Sequence, residues 1–209
     1  MFLWILVTLL VLAGGTAGVG AVMYANEKRR RGLSGGPTPK ELPAGDLEER
    51  TLREMRVGDI VTIDGKDFVS EGVVSYDEDG HRWVGARLVD DNDIRWCVVG
   101  LERSGAMSIR MMTQDDTAEM SGYPPEALVL GDVRYTLDKR GTATCKLDGD
   151  LGTLGRQGGK LAGTVERCRW WLYNAAGDDT AVVEQWGSDY RVLRGKKVGA
   201  GTIELMVGS

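Results

Sequence analysis

The sequence predicts a mainly β protein: an antiparallel β domain behind a single N-terminal transmembrane helix. Three observations carry this expectation. The first 26 residues hold no charge. From Val57 onward apolar and polar residues alternate, the period of strands in a sheet. Asp64-Gly65 and Asp79-Gly80 interrupt that alternation where tight hairpin turns would fall.

Residues 1–26 read as the anchor. Phe2 to Tyr24 is apolar or small throughout, and as a helix it would reach roughly 35 Å, enough for a ~30 Å hydrocarbon core. A cleavable signal peptide would carry its basic residues before a shorter apolar run. Here Lys28, Arg29, Arg30 and Arg31 follow the run. By the positive-inside rule they place the N-terminus outside and the rest of the chain in the cytoplasm, as a single-pass inner-membrane protein. The same cluster can touch anionic headgroups of the lipid bilayer. Gly14 and Gly18 form a GxxxG pair that would let two anchors approach closely, a route to a homodimer.

Residues 27–50 form a basic juxtamembrane segment and a Gly/Pro linker. Positions 32–45 carry three prolines and four glycines in fourteen residues. A short helix follows the linker, with Asp46 as cap and Leu52 and Met55 as its apolar edge.

Residues 51–125 read as a first β half. Val61 and Ile63 lie on one side of a first strand. Phe68, Gly72, Val74 and Tyr76 share the parity of a second, and Trp83 to Val89 make a third. Beyond the acidic tip Asp90–Asp93, Ile94, Trp96 and Val98 line one face of a fourth. Residues 126–209 echo this order as a second half. Leu130-Gly131-Asp132-Val133 matches Val57-Gly58-Asp59-Ile60. Trp170 and Trp171 match Trp83, the turn at Gly177-Asp178-Asp179 matches the acidic tip, and Trp186 matches Trp96. The pattern predicts an internal repeat of two meanders, packed as a sandwich or a pair of barrels. A glycine-rich insertion at Asp148–Gly163 reads as a mobile loop.

The Gly-Asp openers, the acidic hairpin between two tryptophans and the closing run Val182 to Val192 resemble the bacterial family called domain of unknown function 4178. The resemblance spans about Leu52 to Met206. Members tend to be encoded beside phage-shock-protein-A-like membrane-remodelling proteins, small membrane proteins and spermidine-synthase-like enzymes. The resemblance therefore implies company at the membrane or with polyamine metabolism, and it supplies no catalytic residues. The N-terminal anchor lies outside it.

Composition narrows the function. From Thr51 onward 20 basic residues face 26 acidic ones, so the domain lacks the basic face that nucleic acid requires. Cys97, Cys145 and Cys168 are odd in number and scattered, as suits a reducing compartment. His81 is the single histidine, leaving little material for a metal site or a histidine-based triad. No cofactor is expected. Gly14, Gly18 and Gly20, with Tyr135 and Lys139 four apart, resemble elements of short-chain dehydrogenases, but no strand–helix alternation follows them. Gly152 to Lys160 resembles a phosphate loop and fails at Leu154 and Leu161.

The candidate binding residues are Trp83, Trp170 and Trp171. Adjacent residues of a strand point to opposite faces, so one of Trp170 and Trp171 is expected to be exposed for a partner. The acidic tips Asp77–Asp79 and Asp90–Asp93 could attract Ca²⁺ or a polyamine, though no EF-hand spacing is present. Taken together, the sequence points to a membrane-tethered, non-enzymatic module that recruits a protein partner at the inner membrane, in envelope stress or membrane maintenance. The alternative is a ligand-sensing or enzymatic accessory domain linked to polyamine metabolism.

Overall fold

A computed structural model describes residues 52–103, 107–156 and 163–206. The anchor at 1–26, the cluster Lys28–Arg31, the Gly14/Gly18 pair and the linker lie outside the described residues. Among the described residues no helix is long and apolar enough to cross a membrane.

Eleven strands follow in chain order: β1 (Ile60–Ile63), β2 (Lys66–Glu78), β3 (His81–Asp90), β4 (Asp93–Val99), β5 (Ile109–Gln114), β6 (Ala127–Leu130), β7 (Val133–Gly149), β8 (Val165–Asn174), β9 (Asp179–Trp186), β10 (Asp189–Val198) and β11 (Ile203–Met206). One helical turn, α1 (Thr153–Arg156), lies between β7 and β8. The Asp-Gly turns form as their sequence dictates. Asp64 and Gly65 have φ of 52° and 77°, and Asp79 and Gly80 have 51° and 84°. Both central residues of each turn are left-handed, the twist a two-residue hairpin needs.

All pairings are antiparallel, and the strands form one sheet in the order β11-β1-β2-β3-β4-β5-β10-β9-β8-β7-β6. A further pairing, β2 with β7, joins the sheet to itself and closes a circuit through β2, β3, β4, β5, β10, β9, β8 and β7. The expectation of a two-sheet sandwich or two separate barrels is thereby corrected to a single continuous sheet. The closing seam depends on glycine. Gly72 pairs with Gly149, and a Cβ on Gly72 would lie 2.2 Å from the Asp150 carbonyl oxygen. No side chain fits there.

Each strand of the circuit contributes to one apolar cluster, which the circuit encloses. It includes Tyr76, Trp83, Trp96, Met112, Cys145, Cys168, Trp170, Leu172, Trp186 and Leu193. Two further clusters cover the outer faces. Phe68, Val84, Leu88, Cys97 and Ile109 pack beneath β1, β11, Leu52 and Met55. Trp171, Tyr173, Val183 and Val192 pack beneath Leu128 and Leu130 of β6. A register shift in β2 between Ser70 and Gly72 decides which cluster a residue joins. Phe68 belongs to the outer cluster, whereas Val74 and Tyr76, of the same parity, belong to the enclosed one. An extra residue in one strand swaps its faces, which plain alternation does not anticipate.

The two halves share an order of pairings, since β1–β5 and β6–β10 each run as a meander. The matched sequence signals do not coincide. Val57–Ile60 leads into β1, while Leu130–Val133 spans the β6–β7 turn. Trp96 lies opposite Arg87 and Met112 within its strand, whereas Trp186 ends β9 and pairs with Asp189 at the hairpin. The insertion after β7 is anchored at its start: Leu151 and Leu154 are buried in the enclosed cluster. That contact accounts for Leu154 standing where a phosphate loop would need another residue.

Candidate functional site

The enclosed cluster contains an ion pair. Glu184 and Arg191 are directly opposite on β9 and β10, and are 3% and 5% exposed. Arg191 donates from Nε to Glu184 Oε2 at 3.0 Å, and from Nη2 to the same oxygen. Trp186 Nε1 donates to Oε2 at 2.9 Å, and the Tyr76 hydroxyl donates to Oε1 at 2.7 Å. The Arg191 guanidinium lies 4.0 Å from the centroid of the Trp96 ring, a cation–π contact that replaces water on that side. Burial, and next the charge of Glu184, hold the Tyr76 hydroxyl well above its usual range, so it remains a donor. Burial lowers the Arg191 pKa, but Glu184 and Tyr76 outweigh it and the guanidinium is held above its ordinary value. Both carboxylate oxygens of Glu184 are thus taken by protein donors. This is a structural pair, of the kind whose loss of one member costs several kcal/mol.

The predicted tryptophans surround this pair. Trp83 stacks on Tyr76 at 4.9 Å and meets Trp170 edge-on at 5.6 Å. Trp83, Trp170 and Trp171 are 4%, 4% and 2% exposed. The expectation that one of Trp170 and Trp171 is held out for a partner is therefore corrected. They do point to opposite faces of β8, but both faces are covered. Trp170 enters the enclosed cluster, while Trp171 lies under Tyr123, whose ring meets it edge-on at 5.5 Å. The 115–126 connection completes that cover, with the Tyr173 hydroxyl donating to the Pro125 carbonyl at 2.7 Å. Neither indole N–H of the pair has a hydrogen-bond acceptor. Burial of the rings outweighs those two unmade bonds.

The remaining candidates are engaged within the fold. Asp90 and Asp93 each hold Lys66 at 2.9 Å, and Asp93 also holds Arg95 at 3.0 Å. Hydrogen bonds from Arg95 and then Lys66 hold the Asp93 carboxyl below its usual range. Asp77 is held by Arg82 at 2.9 Å. These tips carry less free negative charge than the sequence suggests. His81 Nε2 lies 3.2 Å from the Leu101 carbonyl. Tyr135 is buried in the outer cluster of the second half. Among the described residues no three or more His, Cys, Asp or Glu are grouped to hold a metal ion. Cys97, Cys145 and Cys168 are free and buried, and burial raises the Cys97 thiol to about 12.

Two of the surface depressions border β7 and β8. Thr142, Arg167, Arg169, Gln185 and Gly187 line a depression of about 450 Å³. A second, of about 590 Å³, is lined by Arg53, Glu54, Asp77, Arg82, Trp83, Thr144, Lys146 and Val165 among others. Register makes them neighbours: Thr142 is opposite Arg169, Thr144 opposite Arg167, and Lys146 opposite Val165. Along β7 and β8 these side chains are basic or hydroxyl-bearing, while Glu54 and Asp77 bring two carboxylates to the second depression. Val165 is 63% exposed, and Trp83, whose ring lies in the enclosed cluster, borders the second depression.

Sequence reasoning passed over Arg167, Arg169, Glu184 and Arg191. The signal was available. Glu184 alternates with Val182 and Trp186, a carboxylate at an inward position, and Arg167 and Arg169 share the outward parity of Val165.

Fold and site together define a closed antiparallel β domain with a structural ion pair inside and an arginine-lined depression outside. The chain belongs to the family described as Domain of unknown function (DUF4178), whose model matches residues 56–200. Comparison with curated proteins and with solved structures finds no match.

Proposed function

We propose that the protein is a membrane-tethered adaptor: a cytoplasmic β domain, held at the inner membrane by its N-terminal helix, that binds a partner through the outer face of β7 and β8. The observation that carries this reading is the concave face itself. It is built on paired strands, which position side chains more rigidly than loops do. It leaves Val165 exposed, opposite Lys146 and two residues from Arg167 on β8. The interior favours binding over catalysis, because its carboxylate Glu184 is saturated by Arg191, Trp186 and Tyr76.

The uncharged 26-residue run and the cluster Lys28–Arg31 support the tether and its orientation. Gly14 and Gly18 support packing of two anchors, and the family's company supports a role in envelope maintenance. The matching order of pairings in β1–β5 and β6–β10 supports a common origin for the halves, although the tryptophans do not coincide. The polyamine-linked alternative has less to draw on. A polyamine needs free carboxylates, and Asp77, Asp90 and Asp93 already hold Arg82, Lys66 and Arg95, which leaves Asp79 and Asp91 of the two tips.

The test is made in intact cells with a photo-crosslinking residue at Val165 and a C-terminal epitope tag. External protease should leave the tag intact, and illumination should yield one discrete crosslinked protein. Digestion of the tagged domain would overturn the orientation. A protected domain with no crosslink from this face would overturn the adaptor reading.

A further inference from the structure

We infer that the depression around Arg167 and Arg169 is a binding site for a phosphate group. The inference rests on the reading of this face as the binding face and is independent of the tether. Arg167 and Arg169 are two apart on β8 and share its outer face, so their Cα atoms are roughly 7 Å apart. Arg169 is flanked by Thr142 on β7 and Gln185 on β9, each directly opposite it in register. Two forked guanidiniums, a hydroxyl and a carboxamide therefore converge on one concavity of about 450 Å³. Gly187 adds a stretch of its rim where a Cβ would meet nothing within 4 Å, so a ligand can approach the backbone.

The charge is uncompensated. Neither the Arg167 nor the Arg169 side chain has an ion-pair or hydrogen-bond partner among the described residues. Of the nearby carboxylates, Asp77 is held by Arg82 and Asp148 by Lys146, both at 2.9 Å, while Glu78 accepts the Thr142 backbone N–H at 2.9 Å and lies 3.5 Å from Arg103. Two like charges placed side by side on rigid strands repel each other, and the domain as a whole is acidic. A tetrahedral oxyanion removes that repulsion and accepts from both forks, which is what guanidinium geometry favours in phosphate over a single-point cation. The depression is shallow and polar, which suits a phosphate group more than a large apolar ligand. The phosphate can arrive as a free phosphomonoester or as a lipid headgroup.

The test uses the full chain in neutral detergent. Thermal melts are recorded with inorganic phosphate, with glycerol 3-phosphate, with chloride at matched ionic strength, and in micelles doped with phosphatidylglycerol. Phosphate should raise the melting temperature beyond the chloride control. R167Q/R169Q should keep the unliganded melting temperature, because both side chains are exposed, and should bind about tenfold more weakly or worse. A rise confined to the doped micelles and lost in the double variant assigns the phosphate to a lipid headgroup. If the variant melts lower without ligand, the Gln185 side-chain amide signals of the wild type decide, since phosphate must move them. No response beyond chloride in any arm, or a response that survives in R167Q/R169Q, overturns the site. A crosslink from Val165 that persists alongside such a failure would leave the adaptor reading intact, so the two can fail separately.

Discussion

Arg191 and Arg169 lie two strands apart in one sheet, and the fold treats them in opposite ways. Arg191 faces the enclosed cluster, where Glu184 takes its charge and Trp96 covers its plane. Arg169 faces outward between Thr142 and Gln185, with no carboxylate assigned to it. The residue type is the same and the alternation of the strand decides the rest. Inside, the cation is a structural part whose partner is built in. Outside, it is an unfilled valence, and a ligand is what would fill it. The difference separates what holds this domain together from what it can bind.

The largest expected effect breaks the inner side of the comparison. Glu184→Ala would leave Arg191 buried without a counter-charge and should cost about 3–5 kcal/mol. That is a large share of the roughly 5–15 kcal/mol that holds a domain of this size. Replacing Glu184 and Arg191 together with apolar residues should recover much of the loss. Denaturant unfolding of the full chain measures both, and a Glu184→Ala cost below about 1 kcal/mol would mean the pair is not structural.

The tryptophans sharpen the comparison next. Trp170→Ala and Trp171→Ala should each cost about 3–5 kcal/mol, because one ring fills the enclosed cluster and the other the outer cluster beneath Tyr123. Equal, large losses agree with two covered faces. A mild Trp171→Ala would show that the 115–126 cover stands open in solution.

A smaller effect is expected at Asp115, which fixes the start of that cover. Its carboxyl is held below the usual range by the Thr117 hydroxyl, against the opposing effect of burial, with help from the Thr117 N–H and the Arg194 charge. A depressed folded pKa contributes stability above the unfolded value near about pH 4 and loses it as pH falls through the folded value. Melting temperature should therefore decline more steeply with acid in the wild type than in Asp115→Asn. Parallel acid profiles would show that Asp115 contributes nothing to the cover.

Much of the fold was legible in local sequence. The Asp-Gly turns and the alternation around Val61, Ile63, Trp96 and Val98 place strands where they form. The circuit was not legible, because β2 meets β7 across about seventy residues through a pair of glycines, one leaving room for Asp150 and the other also taking a left-handed φ of 76°. The covered outer faces were missed for a related reason. A run such as Trp170-Trp171-Leu172-Tyr173 is apolar on both parities, which signals burial on both sides rather than one exposed ring. The basic face was hidden by composition, since a net acidic domain draws attention away from two arginines that share one strand face. Leu151 and Leu154 belong to the core, yet their glycine-rich surroundings read as a loop.

The most direct measurement is the arginine Nε–Hε region of a ¹H–¹⁵N spectrum, recorded on the full chain during titration with inorganic phosphate. The signals of Arg167 and Arg169 should move together and saturate, while that of Arg191, already bound to Glu184, stays in place. If Arg191 moves with phosphate, or if Arg167 and Arg169 do not, the division between an inner structural arginine and an outer binding pair is wrong.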